Sequence, residues 1–254
     1  MAPTPIQAGL LFLVGACASG INAVAGGGSL ISFPYLTIAM RLPERIANAT
    51  NSVGLFPGSL AGGLGFRNLL QKAGSHLKVL LIPTIVGSIL GAWLLLTTPD
   101  SVFKKVIPGL ILIASLLLLL QPQVRRMVGH GKTLPVWAGV VLQFVVSVYG
   151  GYFGAGMGIM MLACFALYME GNVHELNAVK NWLSLLVNFA CSIVFVAERI
   201  VDFWVAGCVV AGALVGGFIA ARISQRFDPN RLRLAIAIYG LAMTVFFTYR
   251  AVAT

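Results

Sequence analysis

The chain has very little charge for its length. Only 9% of its 254 residues are Asp, Glu, Lys or Arg, against roughly 25% in a soluble domain. Acidic side chains are the scarcest, with seven against seventeen basic ones, while 59% of the residues are hydrophobic and the mean hydropathy is +0.94. This composition excludes a soluble globular domain. Its long apolar runs predict an all-α polytopic membrane protein.

The net charge of +10 does not indicate a nucleic-acid-binding protein. The basic residues form small groups between apolar runs instead of a continuous patch. In that position Lys and Arg extend to the membrane surface and pair with anionic lipid headgroups. The lipid bilayer is therefore an expected partner, and nucleic acid is not.

Cysteine is also scarce, and its placement argues against a metal site. Cys17, Cys164, Cys191 and Cys208 all lie inside apolar segments without metal-ligand spacing, as small packing residues do. The chain has no ATP-binding motif, and its apolar segments contain no Ser/His, paired Asp or His-Glu-x-x-His arrangement. We therefore expect neither an enzyme nor a resident cofactor.

Two stretches lack charge altogether, residues 1–40 and 134–169. A helix of about 36 residues would be roughly 54 Å long, whereas a bilayer with its headgroups is about 40 to 45 Å thick. Neither run fits as one straight span. Each contains a cluster of glycines, at residues 20–29 and 149–158, where we expect the helix to break. A broken backbone at membrane depth is tolerated where it is buried in protein or lines a polar cavity.

The chain also overlays on itself at an offset of about 129 residues. Residues 22–29 fall on 151–158, residues 47–51 fall on 177–181, and 87–91 meet 212–216. The predicted organisation is a first transmembrane repeat at 1–123, a linker at 124–133 and a second repeat at 134–254. About eight transmembrane helices are expected, within a range of seven to ten membrane pieces.

Two arrangements of the halves remain open. If each glycine-broken run doubles back, every half holds five pieces and the second half is inverted, a recurrent transporter plan. If each run crosses once with a long tilt, the halves have four spans each and are parallel. The Lys and Arg distribution does not decide, because it splits about evenly in the second case and about ten to six in the first.

The glycine breaks are the predicted substrate site. Ser29 is expected to be the N-cap of a half-helix, whose unpaired N–H groups and positive dipole end favour an anion. Glycine lets the backbone approach that anion closely. A kink that only permits close helix packing is the alternative. The predicted substrate-binding residues of the breaks are Asn22, Gly26, Gly27, Gly28, Ser29, Tyr149, Gly154, Gly156 and Gly158.

Lys180 is the most suggestive side chain outside the breaks. It stands about two turns inside a largely apolar segment, where an ionisable residue is costly and by default functional, here as a counter-charge for an anion. A lysine extending to the membrane surface is the alternative. The remaining predicted binding residues are Thr50, Asn51, Asn181 and Ser184, polar residues on two helices, for which hydrogen bonding between helices is the other explanation.

These residues resemble the TauE/SafE family of membrane transporters, also called the sulfonate uptake permease family. Residues 20–36, with Pro34, look like its first alanine- and glycine-rich pattern, and residues 47–51 match the alanine, threonine and asparagine that follow. Residues 154–158 and 177–181 look like the second-half equivalents. Ser29 stands where many members have another glycine. The resemblance covers nearly the whole chain and implies transport of small sulfur-containing anions such as sulfite, sulfonates or sulfoacetate.

The sequence therefore predicts a secondary transporter, in the direction of export, that exposes a midplane anion site alternately to either side of a bacterial inner membrane. An ion-coupled carrier of another small metabolite or cation is one alternative, and a non-transporting membrane subunit is another. The absence of Asp and Glu from the confident spans argues against the cation carrier. The oligomeric state stays open, with a homodimer as one alternative.

Overall fold

The computed structural model describes residues 3–24, 26–65, 70–127, 134–169, 173–223 and 229–252, and these residues form ten α-helices. Six of the helices are long and apolar enough to cross a membrane, which confirms an all-α polytopic membrane protein. The number of crossings stays a prediction. In chain order the helices are α1 (Pro5–Val24), α2 (Ser29–Ile38), α3 (Glu44–Gly65), α4 (Leu70–Thr97), α5 (Asp100–Met127), α6 (Val136–Tyr152), α7 (Met157–Tyr168), α8 (Val173–Ala197), α9 (Phe203–Ile223) and α10 (Pro229–Val252).

Both uncharged runs break at their glycines, between α1 and α2 and between α6 and α7. Gly26, Gly154 and Gly156 have φ of +82°, +78° and +75°, the left-handed region where a Cβ is strained. The predicted N-cap was wrong by one residue, because α2 begins at Ser29 and Gly28 is its cap. A methyl group at Gly28 would come within 1.9 Å of the Ala18 carbonyl oxygen, so the close approach of α1 requires glycine there.

The predicted halves correspond to α1–α5 and α6–α10. α5 continues to Met127, so the predicted linker at 124–133 begins as helix. The main helix contacts cross between the halves in matching pairs, with α1 packed on α9 and α6 on α4, and with α3 packed on α9 and α8 on α4. A structural repeat predicts such a pattern. The equivalence of the halves stays a prediction.

Helix directions bear on how each half is threaded. Gly54 of α3 packs on Val209 of α9, and Gly58 packs on Ala213, so residue numbers rise together and α3 and α9 are parallel. α1 is parallel to α9 as well, because Gly212 packs on Phe12 and Gly216 packs on Ala16 of α1. α1 and α3 therefore run in the same direction. The chain must return between them through α2, which is the arrangement in which the broken run doubles back.

The last helices of the two halves run in opposite directions. Lys104 of α5 and Arg250 of α10 both contact Glu44, whereas farther along the pair Ser115 of α5 packs on Gly240 of α10. Residue numbers rise in one helix as they fall in the other. Antiparallel last helices accord with five pieces per half and not with four, in which they would be parallel. Inversion relative to the bilayer stays a prediction.

Candidate functional site

The two glycine breaks lie in contact and help to enclose a small cavity. A methyl group on Gly158 would be 3.7 Å from the Cα of Gly26. The cavity has a volume of about 30 Å³, room for roughly two water molecules or one small ion. Its lining residues come from both halves and are Ser19, Asn22, Ala23, Gly26, Ser29, Ser52, Leu55, Gly58, Ser59, Phe153, Gly154, Met157, Gly158, Lys180, Asn181, Ser184 and Asn188.

Two half-helices begin at the cavity. Ser29 is the first residue of α2 and Gly158 the second of α7, and both line the cavity. The N–H groups of Leu30 and Ile159 already donate to carbonyl oxygens of the breaks, at 3.1 and 3.0 Å. Among the described residues, the N–H groups of Ser29 and Gly158 have no backbone acceptor. Unpaired N–H groups at two helix N-termini attract a negative charge.

Lys180 brings a full positive charge to the same cavity. Its side chain is only 3% exposed, and its Cδ would lie 3.2 Å from a methyl group on Gly158. Of the described residues that line the cavity, it is the only one with an ionisable side chain of either sign. A cation next to two helix N-termini, with no carboxylate in the lining described, favours a bound anion over a cation.

Three polar side chains of α8 extend this surface along one helix face. Asn181 is 7% exposed, and its Nδ2 has no hydrogen-bond acceptor within the described part of the chain. Ser184 Oγ lies 3.6 Å from Met161 Sδ, to which it donates. Asn188 Nδ2 donates to Ser59 Oγ of α3 at 3.3 Å and so links the two halves. The buried Asn181 amide is the donor most readily used by a bound oxyanion.

The structure brings together eight of the predicted residues at the cavity: Asn22, Gly26, Ser29, Gly154, Gly158, Lys180, Asn181 and Ser184. The other predicted glycines pack on neighbouring helices instead. Gly27 packs against Leu118 of α5, and Gly156 packs against Ala114 of the same helix, while Gly28 adjoins α1. These three positions shape the breaks without lining the cavity.

Three predicted polar residues also lie outside the lining. Thr50 Oγ1 accepts a hydrogen bond at 3.0 Å from the backbone N–H of Asp202, which ties α3 to the loop before α9. Tyr149 donates its hydroxyl to the carbonyl oxygen of Ala155 at 2.6 Å and so braces the second break. Asn51 is buried, and its Oδ1 has no donor among the described residues.

Ser19, Ser52 and Ser59 also line the cavity, and they are not among the residues predicted from the sequence. Ser52 and Ser59 are seven residues apart on α3 and therefore share a face, a spacing that could have identified them. Ser19 and Asn22, three residues apart on α1, show the same pattern. Serine in a membrane helix is common, so only the spacing carried a signal.

Known proteins resemble the chain over nearly its whole length. The profile of the family described as "Sulfite exporter TauE/SafE" matches residues 11–247. A "Probable membrane transporter protein" of Haemophilus influenzae is 30% identical over 94% of this chain and 94% of its own. The "Probable membrane transporter protein YfcA" of Escherichia coli K12 is 30% identical over 97% of this chain and 91% of its own. No solved structure matches the chain significantly.

Proposed function

The chain belongs to the sulfite exporter TauE/SafE family of membrane transporters, and on that premise we propose that it exports a small sulfur-containing anion such as sulfite, a sulfonate or sulfoacetate. The observation that carries this proposal is the cavity where Lys180 meets the N-termini of α2 and α7. The site acts by binding and release, without chemical change to the anion. The membrane is the inner membrane of a bacterium.

The size and polarity of the cavity favour a small oxyanion. About 30 Å³ accommodates a compact ion with few atoms beyond its charged group. Four hydrogen-bond donor groups belong to residues that line it: the N–H groups of Ser29 and Gly158, the amide of Asn181 and the ammonium of Lys180. An anion with several oxygens can accept from all of these donors at once.

Alternating access follows from the site lying between the halves. Ser29 and Ser59 belong to the first half, whereas Gly158 and Lys180 belong to the second, so rocking one half against the other opens the cavity to either side in turn. The Asn188 to Ser59 hydrogen bond joins the halves at the cavity and must lengthen in one of the two states. Energy comes from the anion gradient, the membrane potential or a coupled ion.

Efflux from proteoliposomes tests the proposal. Purified protein is reconstituted into vesicles loaded in turn with sulfite, thiosulfate, a sulfonate, sulfate or acetate, with potassium and valinomycin setting the membrane potential. We expect sulfite or sulfonate efflux well above acetate efflux, and loss of that excess in Lys180→Ala. Lys105→Ala, which removes an exposed lysine of α5, is the matched control and should retain it.

Two results would contradict the proposal. Efflux of none of the sulfur anions from well-folded protein would favour a non-transporting subunit. Movement of a cation or an uncharged metabolite, unaffected by sulfite, would favour the ion-coupled carrier of another substrate.

A further inference from the structure

A second and larger cavity lies away from the anion site. It is a groove of about 500 Å³ between α10 on one side and α1 and α2 on the other. Its walls are almost entirely apolar, with Ile21, Ile31, Pro34, Leu232, Ile236 and Met243 among them, together with the rings of Tyr35 and Tyr239. Pockets that bind drug-sized molecules have volumes of roughly 300 to 1,000 Å³, so the groove is large enough for a chain-like apolar ligand.

The open side of the groove faces the bilayer. The apolar stretch of α10 is the least covered of the six candidate spans, with 22% of it buried. Tyr239 and Ala235, on the groove side of α10, are both exposed. In a membrane the molecules that reach such a surface are lipids, whose acyl chains have the shape and the apolarity of the groove.

One end of the groove is positively charged. Arg231 and Arg233 flank Leu232, the groove residue nearest the start of α10, so both lie at this end of the groove, one at each edge of its α10 wall. The sequence from 222 to 233 contains four arginines and a single acidic residue. Each Lys or Arg near an anionic membrane surface contributes about 1 kcal/mol of attraction.

At the opposite end the basic groups lie beside a carboxylate. Arg41 follows Ala39, the last groove residue of the α2 side, by two positions. Close to it in the chain, the largely buried Glu44 forms ion pairs with Lys104 and Arg250. The nitrogen-to-oxygen distances are 3.9 and 3.6 Å. The α10 helix itself has no acidic residue, so a negative headgroup is favoured at the Arg231 end of the groove.

We propose that this groove binds one anionic phospholipid, with an acyl chain between α2 and α10 and the phosphate at Arg231 and Arg233. In this position the acyl chain packs against α2, the half-helix whose first residue lines the anion cavity. This inference does not depend on which substrate is transported, or on transport at all.

Native mass spectrometry of the full chain, released from mild detergent after exchange into mixed phosphatidylglycerol and phosphatidylethanolamine, tests the proposal. We expect wild type to retain one phosphatidylglycerol in preference to phosphatidylethanolamine. Ala235→Trp fills the groove and should abolish that retention. Ala211→Trp, on the exposed face of α9 outside the groove, is the matched control and should keep it.

The headgroup position is tested by charge removal. Arg231→Gln should lower the preference for phosphatidylglycerol about fivefold, the equivalent of one charge near the membrane surface. Arg41→Gln, at the other end of the groove, should leave the preference unchanged. Monodispersity in size-exclusion chromatography and the thermal midpoint show that each variant is folded.

Several outcomes would overturn the proposal. Wild type that retains no phospholipid, or Ala235→Trp that retains as much as wild type, would show that the groove holds no specific lipid. A larger effect of Arg41→Gln than of Arg231→Gln would place the headgroup elsewhere. A dimer mass that disappears in Ala235→Trp would assign the groove to a second copy of the chain.

Discussion

Lys180 holds a positive charge at a buried position, where only 3% of the residue is exposed to solvent. Burying an ammonium group costs several kcal/mol unless nearby groups offset it. A bound oxyanion would reduce this cost because it carries a full opposite charge. We therefore expect that removal of the Lys180 side chain lowers the affinity for the substrate more than removal of any other side chain of the site.

Lys180→Ala should weaken binding of the transported anion about 5- to 150-fold, corresponding to the roughly 1 to 3 kcal/mol of a charged hydrogen bond. Lys180→Arg keeps the charge but places a wider, planar group in a small cavity, so a partial loss is expected. Calorimetry on detergent-purified protein measures both. Equal dissociation constants for wild type and Lys180→Ala would leave the helix N-termini as the anion-binding groups.

Gly158 offers a subtler change at the same place. In Gly158→Ala the added methyl group would lie 3.2 Å from the flexible Lys180 side chain, which can shift at little cost to folding. We expect a normal yield of folded protein and a flux reduced about fivefold or more, since one charged contact is weakened. The control is Gly28→Ala, whose methyl group would meet backbone at 1.9 Å and should reduce the folded yield itself. Wild-type flux in Gly158→Ala would contradict this role.

The sequence indicates the residue types of the cavity lining better than it indicates which face of each helix lines the cavity. In the internal repeat Thr50 and Asn51 align with Lys180 and Asn181, yet Ser52 is the one of these neighbours that lines the cavity. Successive helical residues point about 100° apart, so a one-residue uncertainty in phase moves a side chain off the site. On α8 the longer polar stripe fixed the phase, and Lys180, Asn181 and Ser184 all reach the cavity.

At the scale of elements, close packing through small residues joins the two halves. Gly212 and Gly216 of α9 adjoin the backbone of α1, and Gly87 and Gly91 of α4 adjoin that of α6 in the same way. Such contacts let helices pack closely, which matters in a membrane because the hydrophobic effect does not drive helices together there. The sequence showed both pairs of glycines but could not show which helix each pair would meet, because that depends on the tertiary arrangement.

Gly212→Val tests the α1 to α9 contact. The new side chain would begin 1.9 Å from the Phe12 carbonyl oxygen, so the helices must separate, at a cost of about 1 to 3 kcal/mol for overpacking. We expect a lower thermal midpoint in detergent, read by fluorescence-detected chromatography after heating. Gly207→Val on the same helix is the control, since no atom lies within 4 Å of its new Cβ. Equal midpoints for the two variants would show that the interface relaxes freely.

The breaks themselves were predictable from length and charge alone. A run too long for the bilayer must be interrupted, and glycine is where interruption is least costly. The N-cap was not predictable, because Gly28 is required by the approach of α1 and not by capping preference. The preference for serine as an N-cap is therefore overridden where the backbone of the break contacts that of α1.

At the scale of the whole molecule, the helix directions accord with the doubled-back threading, and this threading predicts a membrane sidedness. In this threading the basic residues divide ten to six between the two faces, leaving aside Lys180. From the sequence order, the face with ten is predicted to hold the basic residues between positions 67 and 78, 125 and 132, and 222 and 233. By the positive-inside rule we expect that face to be cytoplasmic and the start of α1 to lie outside.

Single cysteines in a background lacking the four native ones test this topology. Thr4→Cys and Pro99→Cys should react with an impermeant maleimide added outside intact cells, whereas Arg126→Cys should react only after permeabilisation. The single-crossing arrangement predicts the opposite grouping, with positions 4 and 126 on one face and 99 on the other. Reaction of positions 4 and 126 from the same side would therefore rule out inversion.

The contact between α1 and α9 can form only after a delay during synthesis of the chain. The contacts between Phe12 and Gly212 and between Ala16 and Gly216 join positions about 200 residues apart. At 5 to 20 residues per second, the ribosome needs about 10 to 40 s to make the second partner after the first. Throughout that interval the glycine-lined face of α1 has only lipid, the insertion machinery or earlier helices of its own half to cover it. The native partner of this face is absent until α9 is complete.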